Sequence, residues 1–156
     1  MTIAEKLVAL YSAAGRTCAT AESCTGGGIG SAITSVPGSS EIFLGGVISY
    51  SNDVKHRVLG VKAETLDAFG AVSAETAAEM AAGARRLAGA DVAVAVTGIA
   101  GPGGGSAEKP VGLVWFGLAT ALGVRAEKAI FPGDRERVRS AAVNHALGML
   151  TAAPLD

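Results

Sequence analysis

The sequence predicts an α/β domain, a three-layer α/β/α sandwich on a mixed, mostly parallel sheet that contains one antiparallel strand. Three observations carry that expectation. Apolar runs of strand length alternate with amphipathic helical segments along all 156 residues. Two of those strands, Val111 to Thr120 and Val124 to Phe131, are separated only by Ala121-Leu122-Gly123. So short a link permits a hairpin and nothing longer, so at least one strand runs against its neighbours. Finally, 49% of the residues are hydrophobic and 17% charged, which suits one buried core and a single domain over residues 1–156.

Each element has its own signal. Thr2 and Glu5 form a capping-box pattern, and Ile3, Leu7, Leu10, Tyr11 and Ala14 recur at helical spacing, with Gly15 as the C′ residue. Thr17 to Ala21 reads as a short strand running into Glu22-Ser23-Cys24-Thr25-Gly26-Gly27-Gly28. A helix over Ile29 to Ser35 stops before Pro37-Gly38, and Ile42 to Tyr50 is a second strand. Ser51 or Asn52 caps a helix carrying Asp53, Lys55, His56 and Arg57; a short helix follows around Ala63 to Phe69. Ser73 caps an Ala-rich helix to about Leu87. Asp91 to Thr97 is a buried strand opening onto the loop Gly98 to Pro110. After the hairpin, Pro132-Gly133-Asp134 starts a last helix that runs to about Leu150.

Composition excludes several function classes. Thirteen Lys and Arg against fourteen Asp and Glu give a net charge of −1, without the basic excess that a phosphate backbone demands, so nucleic acid is not an expected partner. The N-terminus carries Glu5 and no long apolar run, unlike a signal peptide. The longest charge-free apolar stretch, Pro110 to Gly123, falls short of the ~20 residues a membrane helix needs. The expected location is the cytoplasm, with Cys18 and Cys24 as reduced, buried thiols. No His, Cys and Asp cluster has metal-ligand spacing, and no cofactor is expected.

Ligands of open α/β sheets bind where strand carboxyl ends meet helix-entering loops, and three such places stand out. In the first, Ser23 sits on a strand-to-helix turn whose following N–H groups, near Thr25, Gly26 and Gly27, can bind an oxyanion or phosphate. An ordinary Ser/Thr/Gly helix start reads equally well from the motif alone. It is neither a G-x-S-x-G elbow nor a Walker A loop. The second is Ser49 to Lys55, with Tyr50 and Asn52. A serine nucleophile needs a base, and His56 and His145 read as solvated or structural, which leaves Lys55. A free lysine of pKa ~10.4 is neutral in only about one molecule in 2,500 at pH 7, so the role requires desolvation; a solvated surface lysine is the alternative. The third is Thr97 to Ser106, with Gly98, Gly101 and Gly103, where four glycines within five residues (101–105) expose backbone N–H groups to a ligand. Arg135 and Arg139, four apart at the start of the last helix, can clamp an anion or form a solvated basic face.

These loops also carry a resemblance. T-A-E-S-C-T-G-G from Thr20, Y-S-N from Tyr50 with Lys55 following, and G-A-V-S from Gly70 appear in order. T-G-I-A-G-P-x-G-G-S-x-x-K-P-V-G from Thr97 and G-D-R from Gly133 complete the set. Together they resemble the CinA C-terminal domain family, the stand-alone nicotinamide-mononucleotide amidases. The resemblance implies a mixed three-layer sandwich and hydrolysis of the carboxamide of nicotinamide mononucleotide to nicotinate mononucleotide and ammonia. It implies a metal-free pair of Ser23 and Lys55, with Tyr50 and Asn52 orienting the base or the amide. The 97–106 loop, with Arg139 or Arg135, is where ribose and phosphate are expected. The implied partners are a small-molecule nucleotide and further copies of the chain in a homo-oligomer. A non-catalytic nucleotide-binding module, linked to competence or DNA damage, is the rival from a different class; an amidase for another pyridine or sugar amide is the third.

Overall fold

The computed structural model describes residues 1–155. In chain order the elements are α1 (Ile3–Ala14), β1 (Cys18–Glu22), α2 (Gly28–Thr34), a 3-10 turn (Ser39–Glu41), β2 (Phe43–Ile48), α3 (Asn52–Leu59), α4 (Ala63–Phe69), α5 (Ala74–Ala88), β3 (Val92–Gly98), β4 (Leu113–Thr120), β5 (Gly123–Ile130) and α6 (Arg135–Ala152). The sheet order is β2-β1-β3-β4-β5. β1 runs parallel to β2 and β3, whereas β4 is antiparallel to both β3 and β5. β4 is therefore the one reversed strand, as the hairpin predicts.

The helix signals act as their chemistry dictates. Thr2 Oγ1 accepts the N–H of Glu5, whose carboxylate accepts the N–H of Thr2 in return. Ser51, Ser73 and Asp134 accept the N3 N–H groups of α3, α5 and α6. Of the two residues proposed as the cap of α3, it is Ser51, because only its backbone is extended there. The 3-10 turn at Ser39–Glu41 is an addition to the expected elements. β4 starts at Leu113 rather than Val111, because Gly112 takes a left-handed conformation with its α-carbon against the Phe131 backbone.

Alternation along the strands builds two unlike cores. Cys18, Val92, Val94, Val96, Val114, Phe116 and Leu118 face α1, α2 and α6. Ala19, Ala21, Ala93, Ala95 and Ala119 face α5, where Met80, Ala81 and Ala84 meet them. The small-residue face lets α5 approach so closely that a Cβ on Gly117 of β4 would stand 2.2 Å from the Ala77 carbonyl oxygen. This geometry matters to function because β1 and β2 lie side by side in parallel. Their carboxyl ends, Glu22 and Ile48, are register partners, so the Ser23 turn and the segment leading into α3 emerge together.

Candidate active site

Ser23 leaves the end of β1 with its N–H still donating to Val96 O of β3, 3.0 Å away. Beside it, Ser49 N–H donates to Glu22 O at 2.7 Å, tying the exit of β2 to the same point. The chain then turns into α3, and Lys55 faces inward on the same stripe as Leu59. Only 1% of Lys55 is exposed. Its Nζ lies 2.9 Å from Ser23 Oγ, 2.8 Å from Ser49 O and 3.1 Å from Tyr50 O. Burial pushes the ammonium down from the ordinary lysine value to about 8, against a small opposing influence from the Cys24 thiol. At that value about one lysine in ten is neutral at pH 7.

Around this pair lies a cleft of about 180 Å³, lined by Ser23, Cys24, Tyr50, Lys55, Ala71, Val72, Thr97, Gly98, Ala100 and Arg135. Thr97 Oγ1 donates to Ala71 O at 2.8 Å, joining the end of β3 to the loop before α5. At the mouth, Arg135 donates through Nη1 to Gly101 O at 2.8 Å and through Nη2 to the Tyr50 hydroxyl at 3.3 Å. Tyr50 is 63% exposed, so this contact holds an outer wall rather than a core. Of two roomier hollows, the one beside Leu118 and Val124 (about 270 Å³) holds no serine or cysteine. In the one beside Trp115 and Lys128 (about 310 Å³), the Ser73 hydroxyl caps α5 and donates to Gly70 O, while Lys109 Nζ donates to Phe69 O.

The turn after Ser23 is held from two sides. Gly26 and Gly27 take left-handed conformations that only glycine adopts readily, and the N–H groups of Gly26 and Gly28 donate to Ser23 O and Thr25 O. Those of Thr25 and Gly27 carry no hydrogen bond among the described residues. Arg139 reaches across from α6 and donates to Cys24 O at 3.1 Å and Thr25 O at 3.3 Å. Of the two arginines expected to clamp an anion, then, Arg135 faces the cleft, while Arg139 spends these donors on the turn itself. Asn52 is exposed on the first turn of α3 and lies outside the cleft lining; Gly103 is likewise exposed on the loop. Gly101 meets the site through its carbonyl and Gly98 lines it directly.

Neither histidine serves Ser23. His56 Nδ1 lies 2.7 Å from Val61 O, and His145 Nε2 lies 2.8 Å from Glu127 Oε2 with its ring stacked on Phe116. Both thiols are free and buried, and burial pushes Cys18 up to about 12 and Cys24 up to about 11. Cys24 thus stays a protonated wall of the cleft at neutral pH. Among the described residues no group of three His, Cys, Asp or Glu side chains could hold a metal ion, and no helix is long and apolar enough to cross a membrane. One residue escaped the sequence reading. Glu22, only 2% exposed, turns its carboxylate onto Thr25 Oγ1, Ile29 N and Gly30 N. Its signal was an acid closing an apolar strand directly before a glycine-rich helix start.

A mixed α/β/α sandwich with a buried serine–lysine contact at the ends of adjacent parallel strands defines the class of protein. The sequence model of the CinA C-terminal domain matches residues 1–153, and the chain belongs to that family. It is 51% identical over 138 residues to the CinA-like protein of Geotalea uraniireducens, covering 88% of this chain and 33% of that one. Against the CinA-like protein of Kosmotoga olearia it is 48% identical over 154 residues, covering 99% and 37%. The chain spans about a third of the length of the curated relatives it matches. Among solved structures, the competence/damage inducible protein CihA from Agrobacterium tumefaciens superposes with a TM-score of 0.94 at 47% identity, covering 96% and 92% of the two chains. The competence damage-inducible protein A from Klebsiella pneumoniae gives 0.92 at 38% identity, again covering 96% and 92%.

Proposed function

We propose that the chain is an amidohydrolase that converts nicotinamide mononucleotide to nicotinate mononucleotide and ammonia, with Ser23 as nucleophile and Lys55 as base. One observation supports this above the others, the hydrogen-bond arithmetic at Lys55 Nζ. A neutral amine has two N–H donors and one lone pair. Ser49 O and Tyr50 O each accept one N–H in either protonation state. The third position donates to Ser23 Oγ 2.9 Å away in the ammonium and, once deprotonated, becomes the lone pair that faces the Ser23 hydroxyl. As Ser23 Oγ attacks the amide carbon, Lys55 accepts its proton; the resulting ammonium then protonates the departing ammonia. Water then attacks the acyl ester while Lys55 takes its proton. As the C–Oγ bond breaks, the Lys55 ammonium returns that proton to Ser23 Oγ, and the acid product leaves as the carboxylate. The N–H groups of Thr25 and Gly27 are the candidates to stabilise the tetrahedral oxyanion. Arg135 supplies positive charge at the mouth for the phosphate end of the substrate.

Ammonia release from nicotinamide mononucleotide, with nicotinamide riboside as comparison, tests the proposal. Turnover should vanish in Ser23→Ala and in Lys55→Arg, because a guanidinium cannot accept a proton near neutral pH. Arg135→Ala should raise KM for the mononucleotide more than for the riboside. Nucleotide binding without ammonia release would favour the non-catalytic module instead. Undiminished turnover in Ser23→Ala would remove the nucleophile from the proposal.

A further inference from the structure

We propose that Glu22 is a positioning residue for Ser23, a role that rests on the nucleophile reading above. Glu22 is the last residue of β1, so its backbone is fixed by the sheet on both sides, through Ile48 and Val96. From that anchor its carboxylate accepts three hydrogen bonds: Thr25 Oγ1 at 2.6 Å, Ile29 N at 2.8 Å and Gly30 N at 3.1 Å. A carboxylate taken out of water must find such donors or lift its burial cost another way. Here the donors belong to the far side of the turn that carries Ser23. The residue before the nucleophile therefore grips the residues after it, closing the 23–28 turn into a ring of fixed shape. The same bonds occupy the N–H groups of Ile29 and Gly30, so they are not available to a substrate oxygen, and an oxyanion must be met by N–H groups within the turn.

Only an acceptor-only group fits this cradle. A glutamine in place of Glu22 accepts with one oxygen and sets an NH₂ group against the backbone donors of α2. The turn then relaxes, and Ser23 Oγ drifts from Lys55 while both residues remain present. A displacement of about 1 Å in a reacting group can cost ~100-fold in rate.

The test is Glu22→Gln, read by two rates on protein shown by its melting curve to be folded at the assay temperature. One is kcat for ammonia release from nicotinamide mononucleotide. The other is Ser23-dependent labelling by a fluorophosphonate probe, which needs no substrate recognition. Both should fall about 10- to 100-fold, with KM within about threefold of the wild type and the midpoint of the kcat/KM pH profile unmoved. If Glu22→Gln fails to fold, Thr25→Val removes one of the three bonds and should show the same split on a smaller scale. Thr25→Ser, which keeps the hydroxyl, should recover most of what Thr25→Val loses. Full-rate labelling and kcat in a folded but less stable Glu22→Gln would overturn the proposal, leaving Glu22 as a helix cap. A shifted pH midpoint would also overturn it, because Glu22 would then act on the Lys55 proton rather than on geometry. Wild-type protein that neither releases ammonia nor takes the label at Ser23 would remove the serine–lysine reading, and this proposal with it.

Discussion

Lys55 occupies a position that a leucine would fill more comfortably, one turn from Leu59 on the buried stripe of α3. Its pKa of about 8 lies below the ordinary 10.5 of a lysine in the unfolded chain. Between those values the unfolded state binds more protons, so stability withheld at neutral pH returns as pH rises through that window. Lys55→Met should therefore abolish turnover, and its stability relative to the wild type should be most favourable near pH 7, where the buried ammonium costs most, even though Ser49 O and Tyr50 O lose their donor. That relative stability should fall between about pH 8 and pH 10.5, as denaturant titrations at several pH values would reveal. On the proposed serine–lysine mechanism, kcat/KM should climb with pH through a single ionisation near 8. A profile flat from pH 6 to 9 would contradict a lysine base. Eliminating the histidines left Lys55 as a candidate base, with a solvated surface lysine as the other reading; it was the resemblance that paired it with Ser23, and the structure buries it against that serine. Glu22 and the carbonyl contacts of Arg139 were not legible in the sequence, since each depends on distances across elements that no spacing rule contains.

At the scale of elements, helix caps and the hairpin were readable because their chemistry is local. Thr2, Ser51, Ser73 and Asp134 each accept a hydrogen bond within three residues. Strand limits shifted by one or two positions because pairing partners, rather than the strand's own residues, decide where a ladder ends. The contact between α3 and α5 could not be read at all. A Cβ on Gly83 of α5 would stand 1.9 Å from Leu59 O, at the end of α3. In an exposed helix, Gly→Ala is worth up to ~1 kcal/mol of stability. Here the sign should reverse, and Gly83→Ala should lower the melting temperature by several degrees. The substitution also pushes on the helix that carries Lys55, so activity should drop with it. Calorimetry beside an ammonia assay on one preparation would check both; a stabilised Gly83→Ala would mean that α3 and α5 part easily.

For the molecule as a whole, the fold class followed from alternation and one short link, but the order of strands did not. Nothing local states that β1 lies between β2 and β3, with Cys18 facing Phe43 on one side and Val92 on the other. That placement has a consequence in time. β3, β4 and β5 follow one another along the chain and pair with their immediate neighbours, and α5 just before them covers the same strands. β1 must instead close a long loop to reach β3, and such closure is the slow, entropically costly part of assembly. The segment from α5 to β5 is thus the expected nucleus, and the Ser23 turn is among the last parts to take shape. The single tryptophan, Trp115, sits in β4 inside that nucleus. On refolding by dilution from denaturant, Trp115 fluorescence should recover before catalysis returns. Simultaneous recovery of the two signals would show that β1 docks as early as the hairpin does. A chain still emerging during synthesis therefore holds the Ser23 turn beside a strand whose β3 partner arrives some seventy residues later, and the proposed serine–lysine site cannot be complete until then.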